Sequence, residues 1–232
     1  MPQTSAWENE YQRPQLVTKE GNPQKDVLRF LKFLKKQENI KLQNLAILDL
    51  GSGTGRNANF LAELGNKVSG LEISPTAIDL AMSRARELGI KVDYKLHNIG
   101  SKYPFEDATF DLALDVTSSN SLNEKERSIY LSETHRVLKE NGYFFVKALC
   151  KEGDKNAKAL LKMNPGPETD TYVNEDMNLV ERVFIGQDFI NLYSKYFKII
   201  KLLKKTSYTR FKGQSYKRNF WLGYMRKGKG ES

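Results

Sequence analysis

Ile47-Leu48-Asp49-Leu50-Gly51-Ser52-Gly53-Thr54-Gly55-Arg56-Asn57 decides the fold of this 232-residue chain. Residues 45–50 form a short apolar run stopped by glycine, the pattern of a strand buried on both faces. Glycines at 51, 53 and 55 let the backbone turn tightly and approach a ligand with no Cβ in the way. Ala58, Leu61, Ala62 and Leu64 then recur at helical spacing until Gly65. The start of that helix offers free N–H groups and partial positive charge, suited to a carboxylate or phosphate.

Outward from this turn, strand and helix signals alternate. Lys67–Ile73 reads as a second strand, and Ser74 with Pro75 caps a helix whose buried stripe is Ile78, Ala81, Met82, Ala85 and Leu88, ended by Gly89. Val92–Leu96 and Phe110–Val116 are the next strands. Asn123 and Glu126 form a capping box for a helix with the stripe Tyr130, Leu131, Thr134, Val137 and Leu138, stopped by Asn141-Gly142. Tyr143–Leu149 is a fifth strand. Residues 150–180 lose periodicity and carry the turn-rich MNPGPETD, and a helix over Phe189–Phe197 leads to strands at Ile199–Leu203 and Phe220–Met225, joined across Lys212-Gly213-Gln214. On the N-terminal side, Asn22-Pro23 opens a helix with Val27, Leu28, Leu31 and Leu34 on one face.

This alternation predicts an α/β fold: a doubly wound, Rossmann-like, seven-stranded sheet, mostly parallel with a C-terminal antiparallel hairpin. We read one domain, with an N-terminal lid and helix over 1–44, a ligand-binding core over 45–149, an insertion on the substrate side over 150–186, and a final helix and basic hairpin over 187–232.

The mean hydropathy is −0.58 and the lone cysteine, Cys150, excludes a disulfide framework or cysteine-based metal cluster and fits a reducing compartment. No apolar stretch approaches the roughly 20 residues of a membrane span, and MPQTSAWENE lacks the layout of a signal peptide, so the expected location is cytoplasmic. The formal net charge is +9, from 37 Lys+Arg against 28 Asp+Glu. Twelve of the cations lie in residues 195–232 with one acid, Glu231. Such asymmetry points to an anionic partner, nucleic acid first, with RNA as the one that basic residues 195–229 would grip; a solvated strand face is the plainer reading. A monomer is the default expectation.

Glu72 ends the second strand 21 residues after Gly51. That places its carboxylate beside the first turn, where it can accept hydrogen bonds from ribose hydroxyls. A nicotinamide-binding turn wants G-x-G-x-x-G, but Arg56 stands at the third glycine's place. The turn is Asp-x-Gly-x-Gly-x-Gly instead, and the terminal hairpin is foreign to the dinucleotide pattern.

With DLGSGTGRN, LEISPTAIDLAMSRA, YPFEDATFDLALD and HRVLKENGYFFV in sequence, the chain resembles the class I S-adenosylmethionine-dependent methyltransferases from about Ile47 to Lys151, and again in the final helix and hairpin. The GTGRN turn is similar to that of members acting on small molecules or tellurite. The resemblance implies that S-adenosyl-L-methionine is the cofactor. It implies that Asp49, Gly51, Ser52, Gly53, Gly55, Arg56 and Asn57 surround the methionine part and sulfonium, and that Glu72 holds the ribose. Ile73 and Ile99 would flank the adenine, and Asn98, where members usually carry Asp, would meet its amino group. Asp115 and Val116 would border the methyl group and substrate.

A sulfonium methyl is already electrophilic, so alignment and desolvation supply much of the catalysis, about 7–11 kcal/mol of the barrier, without an obligatory catalytic side chain. Asp115 is the candidate for an acidic role; a carboxylate satisfied by neighbouring backbone N–H groups is the competing reading. His97 falls on the adenine side and His135 in mid-helix, and the two give no metal site. Cys150 sits where some RNA cytosine-C5 methyltransferases keep a nucleophile, but Val116-Thr117-Ser118 lacks their Pro-Cys and also the Asn/Asp-Pro-Pro-aromatic run of exocyclic-amine enzymes. Trp7 and Tyr11 share a helical face and are candidate substrate-side aromatics, with simple packing as the alternative. The leading expectation is a methyltransferase acting on a small molecule. The alternatives are an RNA methyltransferase using the basic hairpin, or a cofactor-binding regulatory module without activity.

Overall fold

The computed structural model describes residues 2–14, 21–211 and 213–228. Lys212 of the expected hairpin turn and residues 229–232, with Lys229 of the basic stretch, lie outside the described residues. In chain order the elements are α1 (Pro2–Gln12), α2 (Lys25–Gln37), β1 (Ala46–Leu50), α3 (Arg56–Glu63), β2 (Lys67–Glu72), α4 (Pro75–Glu87), β3 (Asp93–Leu96) and β4 (Phe110–Val116). A 3-10 turn (Ser119–Ser121) leads to α5 (Glu124–Val137), β5 (Leu138–Leu149), α6 (Lys155–Met163), β6 (Thr171–Asn174), β7 (Leu179–Arg182), α7 (Gly186–Tyr193), β8 (Phe197–Phe211) and β9 (Gln214–Lys227).

Seven strands form one sheet in the order β3-β2-β1-β4-β5-β9-β8. The first five are parallel, and β9 runs antiparallel to both β5 and β8. The alternation of side chains along each central strand feeds two cores. Ile47, Leu112, Leu114 and Phe145 pack under α2 and α3, where Phe30, Leu34, Ala58 and Leu61 meet them. Leu48, Ala113, Phe144 and Val146 pack on the other face with Tyr130, Leu131, Phe189 and Tyr193 of α5 and α7. Helices cover both faces, so the sheet is doubly wound. The order reverses between β1 and β4, and a crevice opens at the carboxyl ends of those strands, where such sheets bind ligands.

Several expected boundaries move for identifiable reasons. α2 starts at Lys25 rather than at Asn22-Pro23, because the Gln24 N–H is accepted by Asn57 Oδ1 at 3.0 Å and joins the helix start to α3. Leu28, Met82 and Leu88 are exposed: each helix buries a narrower stripe than its periodicity allows, α4 through Ala77, Ile78, Ala81 and Ala85. The capping box of Asn123 and Glu126 is formed. α5 stops at Val137, before Asn141-Gly142. That pair instead sits inside β5, with Asn141 at φ 63° and a register shift between Phe110 and Leu112 of the partner strand. α7 spans Gly186–Tyr193, since a turn at Tyr193–Tyr196 hands Phe197 to β8. The insertion holds α6 and the antiparallel β6–β7 pair, so it is more ordered than its composition implied. The β8–β9 hairpin is also longer than expected, because its polar tip stays paired as far as Phe211 and Gln214. No helix among the described residues is long and apolar enough to cross a membrane.

Candidate functional site

The turn after β1 is built by its glycines. Gly51, Gly53 and Gly55 have φ of 67°, 54° and 78°, a region that penalises any Cβ. They are also crowded: a Cβ at Gly51 would overlap Ser118 Oγ, one at Gly53 would lie 2.7 Å from Tyr11 Oη, and one at Gly55 would strike the Tyr94 hydroxyl. From below, Arg84 Nη1 donates to the Thr54 carbonyl at 3.0 Å, and Tyr94 Oη donates to Asn59 Oδ1 at 2.7 Å.

Glu72 locks this turn to the end of β2. Its Oε2 accepts the Gly53 N–H at 2.8 Å, while Oε1 accepts those of Ile73 and Ser74 at 2.8 and 2.9 Å. Burial raises its pKa, against the pull of those three N–H groups. Asp49 is buried at the end of β1 and is pushed up to about 7, by burial first and then by the Asp115 and Glu72 carboxylates. Asp49 Oδ2 and Ser52 Oγ are buried without a hydrogen-bond partner.

A cleft of about 1060 Å³ opens over these residues. Of the sequence-predicted set, Gly51, Ser52, Gly53, Arg56, Asn57, Glu72, Ile73, Asn98, Ile99 and Val116 line it, with Trp7 and Tyr11 from α1. Asp49, Gly55 and Asp115 stand behind the wall. Asp115 is fully buried: Oδ1 accepts the Ser118 and Ser119 N–H groups at 2.9 and 3.3 Å, and Oδ2 accepts the Tyr130 hydroxyl at 2.6 Å. The expectation that it borders the reacting groups is therefore corrected. It shapes the turn after β4 by satisfying backbone donors, and Val116-Thr117 face the cleft in its place. Asn98 Oδ1 accepts the Gly100 N–H at 2.8 Å, so the oxygen assigned to the adenine amino group already holds its own turn.

His97 lines the cleft with Nε2 3.0 Å from the Lys102 carbonyl oxygen, and His135 packs beside Tyr196 and Phe197 away from it. Cys150 is buried outside the cleft, and burial raises its thiol to about 11, which suits packing rather than nucleophilic attack.

Sequence reasoning missed how α1 is held. Glu8 Oε2 accepts the Ser74 hydroxyl at 2.5 Å and the Thr76 N–H at 3.3 Å, while Oε1 accepts the Thr76 hydroxyl at 2.5 Å, all at the start of α4. Gln3 Nε2 donates to the carbonyls of Ser121 and Val180 at 2.8 and 3.0 Å. One helix thus bridges the glycine turn, α4 and the β6–β7 hairpin, and lays Tyr11 over Gly53. It also missed the inward-facing Lys147 and its partner Asp26, both on the cleft wall. The alternation of β5 carried that signal, as a charge at a position where its neighbours are apolar.

A glycine turn at the switch point, an acid at the next strand end and an antiparallel β9–β8 edge define the class I methyltransferase fold. Residues 47–142 match a family model described as "Methyltransferase domain". Sterol 4-C-methyltransferase strm-1 of Caenorhabditis elegans is 32% identical over 113 residues, covering 48% of this chain and 33% of that protein. Ubiquinone biosynthesis O-methyltransferase of Pelagibacter ubique is 30% identical over 111 residues, 47% of this chain and 44% of the relative. A probable 18S rRNA (guanine-N(7))-methyltransferase of Dictyostelium discoideum is 26% identical over 123 residues, 53% and 39% of the two chains. This chain therefore spans less than half the length of these curated relatives. Among solved structures, a SAM-dependent methyltransferase from Methanosarcina mazei superposes with a TM-score of 0.74 at 22% identity, covering 90% of this chain and all of that one. Residues 47–142 thus match a methyltransferase-domain family, and the fold around them is that of the class I S-adenosylmethionine-dependent methyltransferases.

Proposed function

We propose that this chain transfers a methyl group from S-adenosylmethionine to a small-molecule acceptor bound in the far half of the same cleft. The observation that carries the reading is the enclosure of that half by α1, α6, the β6–β7 hairpin and the tip-side half of the β8–β9 hairpin, with Trp7, Tyr172 and Phe220 on its walls. A concave, partly aromatic chamber surrounds a small molecule, whereas a polymer backbone asks for an open groove.

The cofactor fits what the turn leaves unfilled. Gly51, Ser52 and Gly53 line the cleft, and Asp49 Oδ2 and Ser52 Oγ are buried polar atoms lacking partners. Gly51, Ser52, Gly53, Arg56 and Asn57 would hold the methionine end, with the Asp49 charge behind them. Glu72 would take the ribose, and Ile73, Asn98 and Ile99 the adenine. When bound, the cofactor supplies an electrophilic methyl on a sulfonium. The protein's share is to hold the acceptor in line across Val116-Thr117 and to exclude water by seating α1 over the turn. No side chain need take a proton from an acceptor that arrives as its anion. The names of the sterol and ubiquinone-biosynthesis relatives agree with a small acceptor.

The second reading is RNA, supported by the exposed Lys201, Lys204 and Lys217 of the hairpin and by the name of the rRNA relative. Against it, Arg218 is paired with Asp154 at 3.1 Å and Lys227 with Glu140 at 3.1 Å. Radiolabelled methyl transfer from S-adenosylmethionine into a metabolite extract and into total RNA tests both. We expect label in the metabolite fraction. Label confined to RNA selects the second reading, and cofactor binding with no label in either leaves a regulatory module.

A further inference from the structure

Lys147 is the one lysine among the buried charged residues described, at 9% exposure. Along β5 it shares a face with Tyr143, Phe145 and Leu149, all buried and apolar or aromatic. Pattern alone calls for an apolar residue there, beneath α2 and beside Leu222, its register partner on β9. Instead an ammonium sits 2.9 Å from Asp26 Oδ2, with its Nζ 4.4 Å from the centre of the Phe220 ring. Asp26 itself occupies the first turn of α2 and is 7% exposed.

Replacing a buried ion pair by apolar residues is often neutral or stabilising, so fold stability does not account for this pair. Position does. Lys147 is in register with Val116 on β4, both line the cleft, and the Thr117 N–H donates to the Lys147 carbonyl at 2.9 Å. An ammonium carries three N–H donors, and Asp26 is its one acidic partner among the described residues. The Phe220 ring fixes the direction of the side chain, as a cation seated on an aromatic face.

We infer that Lys147 receives the acceptor's nucleophilic oxygen as an anion, which makes the acceptor an acidic hydroxyl compound of the phenol or enol class. This rests on the methyl-transfer reading above. The acceptor's proton leaves to solvent on binding, because the neighbouring ammonium favours the oxyanion. In the transfer, an oxygen lone pair forms the new O–CH3 bond and the S–CH3 bond breaks with its electrons staying on sulfur. The oxyanion charge and the sulfonium charge cancel, giving a neutral ether and a neutral thioether. Lys147 remains protonated throughout, and Asp26 holds it in place as a positioning residue.

The test uses the whole chain saturated with S-adenosylhomocysteine. Calorimetry measures binding of 4-nitrophenol, catechol and 4-hydroxybenzoate against 4-nitroaniline, and visible absorbance follows the ionisation of bound 4-nitrophenol. We expect at least one phenol to bind tenfold or more tighter than the aniline, and bound 4-nitrophenol to ionise at lower pH than in buffer. Lys147→Met should lose both effects while keeping its affinity for S-adenosylhomocysteine. The double variant Lys147→Met/Asp26→Asn, which removes both buried charges, should do the same with a Tm no lower than wild type. Binding of none of the three phenols, or an undiminished phenol preference in either variant, overturns the inference. Failure of the wild type to bind S-adenosylhomocysteine overturns the methyl-transfer reading instead, so the two failures are told apart.

Discussion

The Gly53 N–H donates to Glu72 Oε2 at 2.8 Å, so a single carboxylate ties the turn after β1 to the end of β2. The other oxygen holds the Ile73 and Ser74 N–H groups, which makes Glu72 structural as well as a candidate ribose ligand. Glu72→Ala should therefore weaken S-adenosylhomocysteine binding at least tenfold, by loss of charge-assisted hydrogen bonds worth about 1.5–3 kcal/mol each. It should also destabilise the fold by about 1–3 kcal/mol, because buried N–H donors lose their acceptor. Calorimetry and urea unfolding read the two effects separately. A variant with unchanged affinity and a lower urea midpoint would make Glu72 a structural residue only.

Gly51 and Gly65 separate backbone strain from crowding. Both have positive φ, 67° and 86°, but a Cβ at Gly65 meets nothing within 4 Å while one at Gly51 overlaps the Ser118 side chain. Gly65→Ala should cost about 1–2 kcal/mol, the left-handed penalty alone. Gly51→Ala should cost more and should abolish measurable cofactor binding. Adding Ser118→Gly should recover part of the stability and none of the φ penalty. Equal unfolding midpoints for the two single variants would mean that the turn relaxes and the close approach is not needed.

The succession of strands and helices and the glycine turn were legible because they rest on local rules: apolar runs of five or six residues, caps at Ser74 and Asn123, and glycines between strand and helix. Glu72 was legible for the same reason, being fixed by its distance from the turn. Asp115 was misplaced because sequence gives strand position but not which way a buried side chain turns, and here Ser118, Ser119 and Tyr130 consume it. The 150–186 insertion was opaque because its order comes from contacts far apart in sequence. Asp154 accepts the Asn219 N–H at 2.7 Å, Phe184 bridges Cys150, and Gln3 reaches Val180. Lys147 shows the converse, a charge that breaks an otherwise apolar alternation and is explained only when Asp26 arrives from a distant helix.

Asp49 gives a pH signature. Burial, then Asp115 and Glu72, hold its carboxyl up near 7 in the folded chain, against about 3.9 when exposed. Between those values the native state keeps a proton that the unfolded state has lost, so this group's contribution to stability falls as pH rises from about 4 to 7. A ligand bringing an ammonium and a sulfonium favours the ionised form, so cofactor affinity should rise about tenfold from pH 6 to above 7 and then level off. Calorimetry at pH 6 in buffers of different ionisation enthalpy should record release of close to one proton. In Asp49→Asn both the pH dependence and the proton release should vanish. A wild type whose affinity is flat across this range would exclude Asp49 from cofactor recognition.

The basic hairpin separates the two leading readings. Register places Lys201 opposite Tyr224 and Lys205 opposite Phe220 on the face toward α2, whereas Lys204 opposite Trp221 and Lys217 opposite Tyr208 lie on the reverse face. The charges thus straddle the ribbon, and one strand of RNA running along either face meets only part of them. Side chains of Arg210 and Lys212 lie outside the described residues. Each phosphate neutralised on a single strand contributes about −0.7 to the slope of log affinity against log salt. If all of Lys201, Lys204 and Lys217 gripped RNA, their replacement by Gln would flatten that slope by about two. We expect a change of one or less, read by fluorescence anisotropy of a labelled uridine oligonucleotide at several salt concentrations. Label transfer into the metabolite extract should stay within twofold of wild type, since none of the three side chains lines the cleft. Loss of that transfer in the triple variant, with S-adenosylhomocysteine affinity intact, would make the hairpin part of acceptor recognition.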